Sequence, residues 1–453
     1  MFDAVKRYLH YTSWPIIAAM VALMAVGICA IRISENAEGV EGFASKQAMF
    51  AAVALMAFVA VTVVPYERFG RLAYLLFALA IVLLVVVLKL PDNRNVHRWI
   101  NLGFAQIQVS EIAKITYIVL LAWYLRYRDN YRQLLGLAIP FILTLLPTYL
   151  VLIEPDLGTS LLFLPTLYFM LFMAGAKLRH LLVILALGAA VVLLPWPRGV
   201  DMGQFRKDRG RFAASKFGPF TFYSVDTSID WAKRPYTPVA YCRFQVGGGA
   251  VYDLQPLSLL MMKGHQADRV VLWLRPDDPA LLKNISSQVY LSKLVMGAGG
   301  LTGRGEWNQS AVFFKMLPED HTDFIFAVIG GQWGFLGCMG VLFLYGVIFV
   351  LGVEIAAVTD DPFGRLLAVG VLALLFTQLF INAGMAMGLM PVTGMTLPLM
   401  SYGGSSLVIN CVALGMLVNV GQRRPILLAP KPFEYSPKRE KPEPLGVLGN
   451  VNK

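Results

Sequence analysis

Long apolar runs, separated by short polar connections, make up most of the chain. Ten of these runs are long enough to cross about 30 Å of hydrocarbon as helices, near residues 14–32, 48–65, 70–90, 110–126, 135–153, 158–176, 179–196, 323–354, 366–390 and 403–420. The pattern predicts an all-α polytopic membrane protein with ten transmembrane helices. The first run is longer than the apolar core of a signal peptide, so we expect it to remain as a span.

The polar connections divide the chain into four parts. Residues 1–196 hold predicted helices 1–7, residues 197–322 form a large loop, residues 323–421 hold helices 8–10, and residues 422–453 form a basic tail. The short connections on one side of the predicted bundle are basic, and they share that side with both termini. Because basic short loops stay in the cytoplasm, we expect cytoplasmic termini and an extracytoplasmic large loop.

The large loop itself has two halves of different character. Residues 197–263 are polar, aromatic and basic, which is compatible with either a small appended module or a partly disordered arm. The second half is amphipathic, and its stretches 270–274 and 289–295 predict interfacial helices on the bilayer surface.

Composition narrows the function classes. The chain is 57% hydrophobic and 15% charged, well below the charged fraction of soluble domains. Its net charge of +11 therefore indicates contact with membrane lipid, and no nucleic-acid partner is expected. Four scattered cysteines form neither a disulfide framework nor a metal-ligand pattern, so no metal-binding residues are predicted.

Asp323 stands where a block of ionisable residues meets the eighth apolar run. It is the last acidic residue before Glu354, and His321 lies two positions before it. One interpretation is that Thr322 or Asp323 caps the N-terminus of the helix. The other is that a carboxylate at the membrane boundary accepts a proton from a substrate held there.

Further charged residues lie close to other predicted spans. Glu111 and Lys114 are three positions apart on one apolar helix and can pair, either for function or to fix helix packing. Asp156 either caps the sixth span or adds a second carboxylate to the outer face. The glycine-rich run 297–305 has no strand before it, which excludes a dinucleotide fingerprint; it is either a flexible turn or a backbone approach to a diphosphate.

Five groups of residues form motifs that follow one another in a fixed order along the chain. They are Arg98-Trp99-Ile100 with Gln108-x-Ser110-Glu111-x-x-Lys114, Pro155-Asp156-Leu157-Gly158-Thr159, Gly297-x-Gly299-Gly300, Leu317-Pro318-Glu319-x-His321-Thr322-Asp323, and Pro391-x-x-Gly394-x-x-Leu397-Pro398-x-x-Ser401-Tyr402-Gly403-Gly404-Ser405-Ser406. In this order they resemble the SEDS family of RodA and FtsW. The match covers nearly the whole chain except residues 197–263 and the tail. Phe363-Gly364-Arg365 and Leu102-Gly103-Phe104 favour the RodA branch.

The resemblance implies a ten-helix peptidoglycan glycosyltransferase in the cytoplasmic (inner) membrane. Such an enzyme polymerises lipid II into glycan strands at the outer face, during cell-wall elongation or division, and its partner is a class B penicillin-binding protein that acts as transpeptidase. The family's essential aspartate matches Asp323, which would act as general base on the acceptor sugar hydroxyl.

The resemblance also implies substrate-binding roles for residues around Asp323. The diphosphate of the lipid would be offset by cations, with Mg²⁺ as a candidate divalent cofactor. The nascent glycan strand and lipid II are then the expected ligands. The substrate-binding candidates are Arg98, Glu111, Lys114, Asp156, Arg269, Lys315 and His321.

Two other functions remain as alternatives. A non-catalytic scaffold for the class B penicillin-binding protein is suggested by Gly331 and Gln332, which stand where the family usually has an acidic pair. A lipid II transporter would need ionisable residues along a path at the membrane midplane, whereas Asp156 and Asp323 are both predicted at the outer rim.

Overall fold

The computed structural model describes part of the chain, and every structural statement below refers to that part. The described residues are 12–38, 42–89, 99–101, 106–128, 130–154, 156–193, 195–199, 212–217, 220–225, 242–246, 251–256, 269, 273, 286–304 and 321–423.

A helix forms at each of the ten predicted positions, which confirms the polytopic helical fold. Seven helices are long and apolar enough to cross a membrane, and two shorter apolar helices overlap α4 and α8. The number of spans therefore stays a prediction. The helices are α1 (Trp14–Glu38), α2 (Phe43–Val63), α3 (Tyr66–Arg71), α4 (Ala73–Lys89), α5 (Val109–Leu125), α6 (Ala138–Ile153), α7 (Leu157–Ala174), α8 (Leu178–Leu193), α9 (Ser286–Gly299), α10 (Ile325–Val358), α11 (Pro362–Ala386) and α12 (Gly404–Gln422).

Helix α11 forms the centre of the bundle and is buried along most of its length. It packs against α5, α7, α10 and α12, while α12 also packs closely on α2. Small residues permit these close approaches: a Cβ added at Gly370 would stand 2.5 Å from Cγ2 of Ile118. At one end of the bundle Gln422 donates to the Thr12 hydroxyl at 2.9 Å, so the two described chain ends lie on the same side.

Helix α10 is broken at Gly334, whose φ of 67° and ψ of −161° are not helical. The turn after α9 satisfies the backbone there, because the N–H groups of Phe335 and Leu336 donate to the Gly300 and Leu301 carbonyls at 2.9 and 3.0 Å. The approach needs glycine at residue 303 too, where a Cβ would stand 2.0 Å from the Gln332 carbonyl oxygen. The glycine-rich run thus caps the second part of a broken helix, a use that the sequence did not reveal.

Part of the large loop forms an antiparallel sheet with the strand order β3-β7-β6-β5-β4. This supports a small module over a disordered arm for residues 197–263. A separate short pair, β1 with β2, precedes α5. The predicted helix at 289–295 is confirmed within α9, which packs on α10 and α11, whereas most of 270–274 lies outside the described residues. The strands are β1 (Trp99–Asn101), β2 (Gln106–Gln108), β3 (Pro195–Gly199), β4 (Phe212–Phe217), β5 (Phe220–Val225), β6 (Cys242–Val246) and β7 (Val251–Pro256).

Candidate functional site

Asp323 lies in the turn that leads into α10. The capping position of that helix is Phe324, so neither residue of the capping interpretation, Thr322 or Asp323, stands there. The peptide carbonyl of Asp323 accepts a hydrogen bond from Asn382 of α11 at 2.9 Å. The turn is therefore held against the centre of the bundle.

Arg269 and Asp323 approach the same point beside Gly394. A Cβ placed on Gly394 would stand 3.2 Å from Nη1 of Arg269 and 3.4 Å from Oδ2 of Asp323. The Arg269 guanidinium also donates to the Val392 carbonyl at 3.4 Å, which ties it to the same loop. A guanidinium and a carboxylate thus pack against the same side of Gly394, whose φ of +72° disfavours other residues.

The segment 387–403, between α11 and α12, forms one wall of this site. Asn382 donates to the Met395 carbonyl at 2.6 Å as well as to Asp323, so one side chain joins the wall to the Asp323 turn. The Ser401 hydroxyl donates to the Thr322 carbonyl and accepts from the Leu397 N–H, so it links two parts of the wall to each other and to the Asp323 turn.

His321 belongs to an aromatic cluster on the other side of Asp323. Its ring stacks on Phe43 with 4.7 Å between centroids and meets Tyr402 edge-on at 5.8 Å. Glu35 accepts from the N–H groups of Phe43 and Ala44 and so holds the start of α2 in this cluster. Burial, and secondly the Glu35 charge, raise the pKa of the Tyr402 phenol above its usual value.

Glu111 and Lys114 form the predicted ion pair inside the bundle. Their side chains are 2.9 Å apart and almost fully buried. The second carboxylate oxygen of Glu111 is buried with no hydrogen-bond partner among the described residues. The sequence predicted the pairing correctly, and the geometry is that of a buried pair whose loss would leave an uncompensated charge.

Asp156 caps α7, as one of the two interpretations predicted. Its carboxylate accepts from the Thr159 N–H at 3.2 Å and the Thr159 hydroxyl at 2.9 Å. It also accepts from Gln108 at 2.8 Å and Ser110 at 3.3 Å, which ties α7 to the start of α5. The adjoining Gly158 packs on residues 393–395, since its Cβ would stand 3.0 Å from the Thr393 carbonyl oxygen. Asp156 therefore supports the wall beside Gly394 from behind.

An apolar groove with a cavity volume of about 670 Å³ runs between α9, α10 and α11. It begins near Phe326, one turn beyond Asp323, and it is open, with Phe335, Phe380 and Leu389 more than half exposed. Lys293 crosses Gly388 at the rim, where a Cβ on the glycine would stand 2.5 Å from its Nζ. The sequence analysis missed Lys293, because only the fold brings α9 beside this wall.

The structure brings Asp323, Arg269 and His321 together at one end of the bundle, with Asp156 behind the same wall. Arg98 and Lys315 lie outside the described residues. Within the described ranges no group of three or more His, Cys, Asp and Glu side chains forms a metal cage. Arg269 already places a positive charge beside Asp323, so the described residues do not fit a protein-held Mg²⁺ at this carboxylate.

Known proteins are similar in sequence to this one over most of its length. It is 34% identical over 339 residues to peptidoglycan glycosyltransferase RodA of Treponema pallidum, covering 72% of this chain and 77% of that protein. It is 30% identical over 353 residues to peptidoglycan glycosyltransferase MrdB of Escherichia coli K12, covering 78% of each.

Solved structures agree on the fold. One, described as the structural coordination of polymerization and crosslinking by a peptidoglycan synthase complex, has a TM-score of 0.66 at 25% identity and covers 90% of this chain and 97% of that one. The rod shape determining protein RodA of Thermus thermophilus has a TM-score of 0.57 at 24% identity, covering 91% and 97%.

The sequence profile described as Cell cycle protein, FtsW/RodA/SpoVE, matches residues 8–213 and 245–425. The unmatched residues 214–244 lie inside the segment that carries the five-stranded sheet. With the motifs, the helical bundle and the relatives in agreement, this chain belongs to the FtsW/RodA/SpoVE family of multi-pass membrane proteins.

Proposed function

We propose that this protein is a peptidoglycan glycosyltransferase that polymerises lipid II into glycan strands at the outer face of the cytoplasmic membrane. The observation that carries the proposal is the meeting of the Asp323 carboxylate and the Arg269 guanidinium at Gly394, one helical turn before the open apolar groove that begins near Phe326. A base, a cation and an apolar groove are what this reaction needs in one place.

Asp323 acts as the general base in this proposal. The acceptor sugar hydroxyl loses its proton to the carboxylate while its oxygen forms a bond to the anomeric carbon of the growing chain. The bond from that carbon to undecaprenyl diphosphate breaks, and the diphosphate takes the electron pair. Arg269 is placed to offset the negative charge that develops beside the base.

The groove between α9, α10 and α11 is the proposed place for a polyprenyl tail, and Lys293 at its rim would contact the attached diphosphate. We propose that Mg²⁺, if the reaction requires it, is carried by the diphosphate, since Mg²⁺ commonly binds through substrate phosphates and few protein ligands. The partner in this proposal is a class B penicillin-binding transpeptidase, and both termini are cytoplasmic.

Gly331 and Gln332, which stand in place of the acidic pair, have their backbone against the turn after α9. A Cβ on Gly299 would stand 3.0 Å from the Cα of Gly331, and the Gln332 carbonyl faces Gly303. The turn after α9 therefore occupies the space around residues 331 and 332. These contacts give residues 331 and 332 a structural role, and the polymerisation test below distinguishes the enzyme from the scaffold.

The test is glycan-strand formation from lipid II by the protein purified with its transpeptidase, with and without Mg²⁺. Asp323→Asn should abolish polymer while the complex and its melting temperature persist. Asp360→Ala, an exposed carboxylate between α10 and α11, is the matched control and should polymerise like the wild type. Polymer from Asp323→Asn at the wild-type rate would exclude the base role, and no polymer from the intact wild-type complex would favour the scaffold.

A further inference from the structure

Asn382 is fully buried in α11, and its side chain makes two hydrogen bonds to main chain far away in sequence. Nδ2 donates to the Asp323 carbonyl at 2.9 Å and to the Met395 carbonyl at 2.6 Å. Asp323 carries the proposed base, and Met395 follows the glycine beside which that base and Arg269 meet. One amide therefore holds both sides of the space that the reaction uses.

The orientation of this amide is determined by its partners. Carbonyl oxygens only accept, so the group that faces both of them must be the NH₂ end and not the oxygen. The oxygen Oδ1 then points elsewhere, and it is buried without a hydrogen-bond partner in the described part of the chain. An unsatisfied buried acceptor is destabilising, and a purely structural position would normally avoid it.

We propose that Asn382 is the positioning residue of this site: its amide sets the separation between the Asp323 carboxylate and the Arg269 guanidinium by fixing the Asp323 turn against residues 392–395. The inference rests on the proposed function, because it assigns Asn382 a role only through Asp323. A displacement of about 1 Å at a reacting group lowers a rate by about 100-fold. Loss of the amide should therefore act on turnover more than on substrate binding.

The chain contains a matched control at the opposite end of the bundle. Asn419 of α12 is also fully buried, and its Nδ2 also bridges two main-chain carbonyls, those of Val61 and Val64. It joins the end of α12 to the end of α2, near Arg423 and far along both helices from the Asp323 turn. Replacing either asparagine removes a side-chain bridge between two main-chain carbonyls. Replacing Asn419 also removes a hydrogen bond from Arg423 to its Oδ1, so the control loses at least as many contacts, but only Asn382 touches the site.

The experiment compares Asn382→Leu with Asn419→Leu in the full-length complex, beside the wild type and Asp323→Asn. Melting temperature, kcat and the KM for lipid II are measured for each. We expect Asn382→Leu to lose about 100-fold in kcat with KM changed less than about threefold, and Asn419→Leu to melt at a similar temperature with near-normal kcat. Asn382→Ser, which keeps one donor, should recover part of kcat if the leucine variant does not fold.

The inference is overturned if the two leucine variants lose activity only in proportion to their loss of thermal stability, or if Asn382→Leu raises KM and leaves kcat unchanged. Failure of the proposed function looks different, because Asp323→Asn would then polymerise as fast as the wild type. If Asp323→Asn is inactive and both Asn382 variants turn over normally, the base role stands and the positioning role is wrong.

Discussion

Replacing Gly394 by alanine tests the space between Arg269 and Asp323 directly. The backbone φ of +72° adds strain for any L side chain, at a cost of about 1–2 kcal/mol. The new Cβ would stand 3.2 Å from Arg269 Nη1 and 3.4 Å from Asp323 Oδ2. These distances are tight but not overlapping, so we expect the fold to tolerate the methyl group with a modest loss of stability.

The effect on activity should be larger than the effect on stability. A hydroxyl held by a guanidinium and a carboxylate sits about 2.7–2.9 Å from each, and a methyl group in contact with both charged groups would shift them away from that arrangement. Displacing the acceptor hydroxyl by about 1 Å lowers the rate by about 100-fold. The variant should therefore melt slightly below the wild type and form glycan strands about 100 times more slowly.

Gly42→Ala is the control that introduces backbone strain without placing a methyl group against Arg269 or Asp323. Gly42 precedes α2 with a φ of +111°, and a Cβ there would have no neighbour within 4 Å. It should lose stability to a similar degree and keep its polymerisation rate, both measured by thermal melting and by strand formation from lipid II. A wild-type rate for Gly394→Ala would refute the assignment of this space to the reacting groups.

Three further outcomes are expected. Lys114→Met should destabilise the protein by about 3–5 kcal/mol in chemical denaturation because it leaves Glu111 buried and unpaired, and adding Glu111→Gln should recover part of the loss. The folded-state pKa of the Tyr402 phenol is raised, so this group contributes stability that is complete below about pH 10 and is lost as the pH rises through the folded pKa. Tyr402→Phe should therefore lessen unfolding at alkaline pH and change the melting temperature little at pH 7, as measured by thermal melting across pH. Lys293→Gln should raise the KM for lipid II without lowering the melting temperature, since Lys293 is exposed; an unchanged KM would remove it from the diphosphate site.

The sequence predicted features that depend on local spacing. The apolar runs place the ten helices, the i,i+3 spacing places Glu111 beside Lys114, and an aspartate before an apolar run places Asp156 at the cap of α7. Each of these follows from one turn of helix or one helix start. The placement of Asp323 at the outer face of the membrane stays a prediction.

Contacts across long sequence separations could not be predicted in this way. Asn382 looked like one more small polar residue in an apolar run, because its two acceptors come from other segments only after α11 is enclosed. The sequence does not reveal the break at Gly334 either, because glycine is common within the apolar runs of membrane helices. The break is explained only by the folded structure, in which the turn after α9 supplies carbonyl acceptors for the first N–H groups of the second part of α10.

The break at Gly334 divides α10 into two segments of different length. Helix α10 has 34 residues, and the part after Gly334, residues 335–358, is about 36 Å long at 1.5 Å per residue. This part alone can cross a hydrocarbon layer of about 30 Å. The turns before Gly334 are then not needed to cross the hydrocarbon layer, and we expect them to hold Asp323 near the membrane boundary. We expect that inserting or deleting one turn after Gly334, about 5 Å of helix, would change the depth of Asp323 relative to the lipid, so that the length of this segment determines the depth of the site.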